Sequence, residues 1–351
     1  MGNLTTRFIL IIALMLSVLI ACGIGAMHIP VLRVVTILLD GIHIHLPVTY
    51  SEAEANVLWQ IRLPRVCMGV MVGGGLAMAG ASIQGLFRNP LADPGLVGIS
   101  AGAALFAVLC IVVLSAIPAL SGVSFIPPYY LMNIATFMGA GVSGIAVFRL
   151  ARTGGKTMIA TLLLAGLGIN ALCNALTGLI TYTANNDQLR SVTFWTMGSL
   201  GGATWATVSA LLPFIIVPVL WLPRLAKSLN AFALGEAEAT HLGIHVRRLK
   251  TLVMLLATLL VGACVAVSGI IGFVGLIVPH ILRSISGSDH RSLLPNSLLL
   301  GATLLTLSDV ISRTLIAPAE LPLGIVTAVI GTPLFIGMLI KQKKQLSSWA
   351  S

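Results

Sequence analysis

Charge is what this sequence has least of. Only 9% of its 351 residues are Asp, Glu, Lys or Arg, against about 25% in soluble globular domains. Acids are scarcest, ten in all against 20 Lys and Arg, and aromatic residues make up 6%. The five cysteines, Cys22, Cys67, Cys110, Cys173 and Cys264, all lie in apolar stretches and form no CxxC pair. A phosphate-binding loop is missing too. Gly154-Gly155-Lys156-Thr157 resembles the end of one, but Leu150 stands where the first glycine is needed, and an apolar helix replaces the strand that should precede it. These absences exclude an ordinary soluble enzyme, a disordered chain, a disulfide scaffold, a zinc site and an ATPase core.

What is abundant is hydrocarbon. Apolar residues make up 57% of the chain and mean hydropathy is +1.04. Apolar runs of about 20 residues match a bilayer core of about 30 Å. Ten such spans are legible, at 8–27, 64–86, 95–117, 129–150, 158–182, 204–222, 251–269, 271–285, 293–316 and 324–340. They predict an all-α polytopic membrane protein, a single transmembrane domain over 1–351. The stretch 184–203 mixes polar and aromatic residues and reads as an interfacial or partly re-entrant helix. Gly269 to Gly275 reads as a turn between two close helices. The first run holds Leu19-Ile20-Ala21-Cys22, which looks like a lipoprotein processing box. Its length favours a spanning helix that happens to contain a cysteine.

The net charge of +10 would suggest nucleic acid in a soluble protein. In a polytopic chain it is first a topology signal. With the N-terminus in the cytoplasm, one side holds Arg7, Arg88, Arg149, Arg152, Lys156, Arg224, Lys227, Arg247, Arg248, Lys250, Arg283, Arg291, Lys341, Lys343 and Lys344. The other holds only Arg33, Arg62, Arg65, Arg190 and Arg313. Both termini are thus expected in the cytoplasm, and no nucleic-acid partner is needed.

Small residues set the packing. Gly69, Gly73, Ala77, Ala81 and Gly85 recur at every fourth position along the second span, and spacing of this kind lets helix backbones approach closely in lipid. Gly166, Asn170, Asn174 and Gly178 repeat the pattern in the fifth. The two asparagines are either interhelical hydrogen-bonding groups or the lining of a pathway. A proton-coupled carrier needs an ionisable group at mid-membrane. Asp309 is the sole candidate, and Arg313 one turn on is a natural partner.

Four segments are not ordinary spans. Gln60-Ile61-Arg62-Leu63-Pro64-Arg65 opens the second span, with Pro suited to a first helical turn and both arginines on one face. The pair either snorkels to lipid headgroups or, with Arg313, offers a cationic docking patch to an acidic partner. Gly85 to Gly95 breaks the helix with two prolines, presenting Asn89 and Leu91. Residues 223–250 form the longest inner connection, in which Ala233 to Gly243 reads as one short helix, acidic at its start and closed by Gly. Such a helix can seat in a partner's groove. The fourth segment, Gly272 to Arg283, is kinked at Pro279.

Taken in order, Arg62-Leu63-Pro64-Arg65, Arg88-Asn89-Pro90-Leu91-Ala92-Asp93-Pro94-Gly95, Ala233-Leu234-Gly235-Glu236 through Leu242-Gly243, Gly272-Phe273-Val274-Gly275 through Arg283, and Glu320-Leu321-Pro322-Leu323-Gly324 resemble the permease subunit of type II ABC importers, the iron-siderophore, haem and vitamin B12 family. The likeness covers about residues 50–340, and the run from Phe87 to Gly95 is most similar to haem permeases. It implies a homodimer with about ten helices per subunit in a bacterial inner membrane, around a path on the two-fold axis. It implies two ATPase subunits below, a periplasmic binding protein above, ATP used only by the partner, no permanently bound cofactor or metal, and haem or another iron chelate as cargo. By the same resemblance, Arg62, Arg65 and Arg313 dock the binding protein. Leu234, Gly235, Glu236, Ala237, Leu242 and Gly243 couple to the ATPase. Asn89, Leu91, Ile159 and Ala160 form the cytoplasmic gate, with Asn170 and Asn174 on the pathway. The vitamin B12 permease has small hydroxylated residues where Ile159-Ala160 stand, so a polar constriction is not expected there. His28, His43 and His45 in the outer loop are candidates to touch haem iron.

Overall fold

The computed structural model describes residues 3–116, 128–153 and 156–349. Gly154 and Gly155 of the loop-like motif, and the end of the expected span 95–117, lie outside the described residues. Helix α1 (Asn3–Gly23) is followed by α2 (Val31–Asp40) and a short α3 (Glu52–Asn56) in the first long connection. Ser51 caps α3 with Glu54 in a reciprocal capping box. A π-helical turn over Val57–Arg62 leads into α4 (Leu63–Phe87). A 3₁₀ turn, Pro94–Val97, precedes α5 (Ile99–Ala116). Helix α6 (Pro128–Leu150) ends in a two-residue antiparallel pairing of β1 (Arg152–Thr153) with β2 (Lys156–Thr157). Then come α7 (Ile159–Tyr182), α8 (Asn186–Thr196) and α9 (Trp205–Trp221). Two short helices follow, α10 (Ala226–Leu234) and α11 (Glu236–His241). The chain ends with α12 (Val246–Ser268), α13 (Val274–Ser286), α14 (His290–Thr314) and α15 (Leu323–Trp349).

Among the described residues, seven helical stretches are long and apolar enough to cross a membrane, and α5, α13 and the Leu323–Gly337 part of α15 are shorter apolar helices. This is an all-α polytopic membrane fold. Helix α13 has only 13 residues, about 20 Å at 1.5 Å per residue. It begins inside the bundle after a turn rather than at a surface.

Helix α4 is the buried axis, and glycine explains how neighbours reach it. A Cβ on Gly73 would lie 2.4 Å from the carbonyl oxygen of Gly301 on α14, and one on Gly80 would lie 1.9 Å from that of Gly275 on α13. At Gly85 it would meet the His290 ring at 2.4 Å. The stripe read from the sequence is thus the α4–α14 contact, while Gly80, off that stripe, admits α13. Without side chains between them, the backbones approach closely enough for dispersion contacts along their length.

A second glycine-dependent crossing ties the stretch 184–203 down. Gly324 N donates to Met197 O at 2.9 Å, Leu323 N to Gly198 O at 2.9 Å, and Ser199 N to Ser268 O at 2.8 Å. Gly269 sits at φ 69° with Trp195 O where its Cβ would be. The end of α8, the turn after α12 and the start of α15 are therefore one hydrogen-bonded unit. Buried backbone polar groups away from water require such pairing.

The connection 223–250 differs from expectation. Ala233 to Gly243 is not one helix. Gly235, at φ 146°, breaks it into α10 and α11, and a Cβ there would collide with the Glu238 carboxylate at 1.8 Å. An L side chain is disfavoured at that backbone angle.

Candidate functional site

Two ends of the bundle concentrate the predicted residues. The basic end carries the connections 88–98 and 222–250. The opposite end carries Arg62, Arg65 and Arg313.

At the opposite end the three arginines lie together but point inward. Arg62 is 3% exposed and donates to the carbonyls of Cys22 (2.5 Å) and Gly23 (2.9 Å), and to that of Met27. Cys22 is fully buried in α1. Arg65 is 9% exposed. It makes a two-pronged pair with Glu320, 2.8 and 2.9 Å, and turns Nε to Asp309 at 3.0 Å. Arg313 donates to Ala21 O at 2.6 Å and stands 3.6 Å from Asp309. Asp309 therefore belongs first to Arg65, and Arg313 is its second cation. All three guanidiniums thus have acceptors within the chain. Buried guanidinium groups need acceptors, and the end of α1, α14 and the loop before α15 supply them. Glu320 is half-exposed, and Arg65 holds its carboxyl below the usual carboxylate range. Three guanidiniums face two carboxylates, so one positive charge stays uncompensated.

At the basic end the break after α4 is built from side-chain turns. Arg88 takes the left-handed conformation (φ 51°) that ends α4. Asn89 Oδ1 accepts from Leu91 N at 2.9 Å, and Asp93 Oδ1 from Gly95 N at 2.7 Å. Asn89 is exposed and Leu91 half-buried. Ile159, half-buried, and Ala160, exposed, begin α7. The turn Pro94–Val97 packs on α7, where a Cβ on Gly166 would meet Leu96 O at 2.3 Å. The asparagines of α7 part company here. Asn170 Nδ2 donates to Gly95 O at 3.0 Å, an interhelical link, whereas Asn174 is exposed.

The short helices reach this break through residues that the sequence reading passed over. The Phe232 ring on α10 has Arg88 on one contact and Lys250 on another, each 5.7 Å from its centroid. Lys250 pairs with Glu236 at 2.5 Å. Asn230 Oδ1 meets His290 Nδ1 at 2.8 Å, and His290 lies over Gly85. Gln84 donates to Leu276 O at 3.1 Å and accepts from Arg283. Only the run of polar residues at the ends of apolar spans hinted at these. Meanwhile Leu234 and Leu242 are 69% and 62% exposed outside the spans, with Ala237 exposed between them.

In the connection that follows α2, His45 bonds Asp40, which also accepts from Tyr50. Among the described residues no group of three or more His, Cys, Asp or Glu could hold a metal ion.

A bundle of apolar helices with a glycine-packed axis and short helices at its basic end is a polytopic membrane fold, and the likenesses that follow make its class the permease of a type II ABC importer. The FecCD transport family profile matches residues 10–341, and the chain belongs to that family. It is 46% identical over 301 residues to the hemin transport system permease protein HmuU of Yersinia pestis, covering 85% of this chain and 87% of that one. It is 39% identical over 296 residues to the vitamin B12 import system permease protein BtuC of Citrobacter koseri, covering 84% and 86%. A solved metal-chelate type ABC transporter in an inward-facing conformation superposes with a TM-score of 0.82 at 32% identity, covering 95% of this chain and 98% of that one.

Proposed function

We propose that this chain is the membrane-spanning subunit of an ATP-driven importer that moves haem inward across a bacterial inner membrane. Two copies enclose the path, two separate ATPase subunits sit at the basic, cytoplasmic end, and a periplasmic binding protein docks at the other. The observation that carries the reading is the chain of contacts from the exposed α10–α11 surface to the break after α4. A partner seated on Leu234, Ala237 and Leu242 pushes on helices whose Phe232 is held between Arg88 and Lys250. Arg88 adjoins Asn89 and Leu91, the proposed gate, whose second element is Ile159 and Ala160 at the start of α7. ATP-driven closure of the partner thus moves the end of α4 as a lever. Gly235 and Gly243 set the shape of the contact surface, and Glu236 ties it to α12 through Lys250.

The arginine cluster suits docking in a modified form. Its uncompensated positive charge attracts an acidic surface over a Debye length of about 8 Å at physiological salt. Glu320 is the exposed carboxylate that a partner's carboxylate would replace on Arg65. On α7, Asn174 and Gly178 stay unpacked, Gly178 with no heavy atom within 4 Å of a built Cβ. That face suits the path or the second copy.

The haem reading rests on the Phe87–Gly95 run and on the 46% identity to the hemin permease. Ferric siderophore and vitamin B12 are the alternatives within the class, the latter favoured by the 39% relatives. A proton-coupled carrier is disfavoured because Asp309 is held by two arginines. Uptake assays in vesicles containing permease, ATPase and binding protein, with haem, ferric siderophore and vitamin B12 offered in parallel, separate the cargoes. Haem uptake alone is the expected result, and uptake of only another cargo overturns it.

A further inference from the structure

Helices α6 and α12 are packed directly together, with Gly144 against Thr258 and Ala140 against Gly262. As residue numbers fall along one they rise along the other, so the end of α6 stands beside the start of α12. Between them lies an open groove of about 250 Å³, floored by Gly141 and Gly144 and walled by Phe148, Met254 and Leu255. Apart from Thr251 and Thr258 its lining is apolar. At the basic end Thr251 also borders a larger cavity of about 970 Å³ that Arg247 and Arg248 line. Arg149 in the last turn of α6 and Arg152 in β1 just beyond it stand at the same level, and all four arginines are exposed. None of the four forms an ion pair among the described residues.

From this juxtaposition, and resting on the cytoplasmic placement of the basic end, we infer a binding site for one anionic phospholipid of the inner leaflet. Its acyl chain lies in the α6–α12 groove and its phosphate among Arg247, Arg248, Arg149 and Arg152. The groove is too small for a further helix, since one about 10 Å across would fill that volume within a single turn. An acyl chain fits it. A zwitterionic lipid brings a fifth cation, its own ammonium, to four arginines, and free phosphate leaves the groove unexplained. Basic pockets between spans on the cytoplasmic side suit anionic headgroups.

The test is native mass spectrometry of the full chain released from bilayers containing phosphatidylglycerol and phosphatidylcholine. The native chain should retain phosphatidylglycerol preferentially. Since each arginine at an anionic surface contributes a factor of about five, Arg247→Gln with Arg248→Gln should weaken that retention roughly 30-fold. Retention of phosphatidylcholine should not change. Gly141→Leu fills the groove from a position with no heavy atom within 4 Å of the new Cβ. It should fold with the native elution volume and lose phosphatidylglycerol as well. Equal retention of the two lipids, unaltered binding by either variant, or displacement by inorganic phosphate alone would overturn the site. Neither ATP nor cargo enters the measurement, so its failure is separate from failure of the importer reading.

Discussion

Arg65 shows what a single side chain does at the end of the bundle opposite the basic one. It joins α4 to α14 through Asp309 and to the loop before α15 through Glu320, partners 244 and 255 residues away. Arg65→Met removes the cation and leaves two carboxylates together. Breaking a buried pair this way costs about 3–5 kcal/mol, and the thermal midpoint in detergent should fall accordingly. Adding Asp309→Asn to that variant should recover part of the loss. The Glu320 carboxyl is held below its usual range by Arg65, whereas an unfolded Glu titrates near about 4.3. Its contribution is therefore fully present above the unfolded value and is lost as pH falls through the folded one. Between pH 6 and pH 3 the native midpoint should drop further than that of Glu320→Gln, read by the same thermal scan. The sequence marked Arg62, Arg65 and Arg313 as outer exceptions to the charge pattern. Beyond the Asp309–Arg313 pairing it could not show their acceptors, because main-chain carbonyls carry no residue signature and Glu320 lies in a loop.

Helix positions were legible from hydropathy because lipid demands long apolar runs. Helix ends and breaks were less so. Gly235 looked like the interior of one short helix, yet its backbone angle splits that helix in two. The role of Gly80 was hidden because it lies off the four-residue stripe, facing α13 rather than α14. Gly80→Ala places a methyl 1.9 Å from Gly275 O and should abolish a monodisperse elution peak, whereas Gly178→Ala meets no neighbour and should elute as native. The contact of α10 with the end of α4 was also invisible, since Phe232 in the sequence is one apolar residue among many. Phe232→Ala removes the ring between Arg88 and Lys250. In the reconstituted complex it should leave ATP hydrolysis within about twofold while cargo uptake falls about tenfold, a difference of roughly 1.4 kcal/mol in coupling. A proportional fall in both would assign Phe232 to folding alone.

For the whole molecule, the scarcity of charge that marks the chain as membranous also bears on its energy source. Asp309, the one acid within the expected spans, is neutralised by Arg65 and Arg313. The two leucines exposed at the basic end, Leu234 and Leu242, instead offer an apolar seat for another protein. Leu234→Asp should weaken co-purification of the ATPase subunit, with the permease itself still folded. The central claim is that ATP hydrolysed by a partner, and not an ion gradient, drives this permease. The direct measurement is haem accumulation in proteoliposomes holding permease and ATPase, with binding protein outside and a protonophore present. The account predicts uptake that requires ATP and the ATPase subunit and is unaffected by the protonophore. Uptake that proceeds without ATP and collapses with the proton gradient would contradict it.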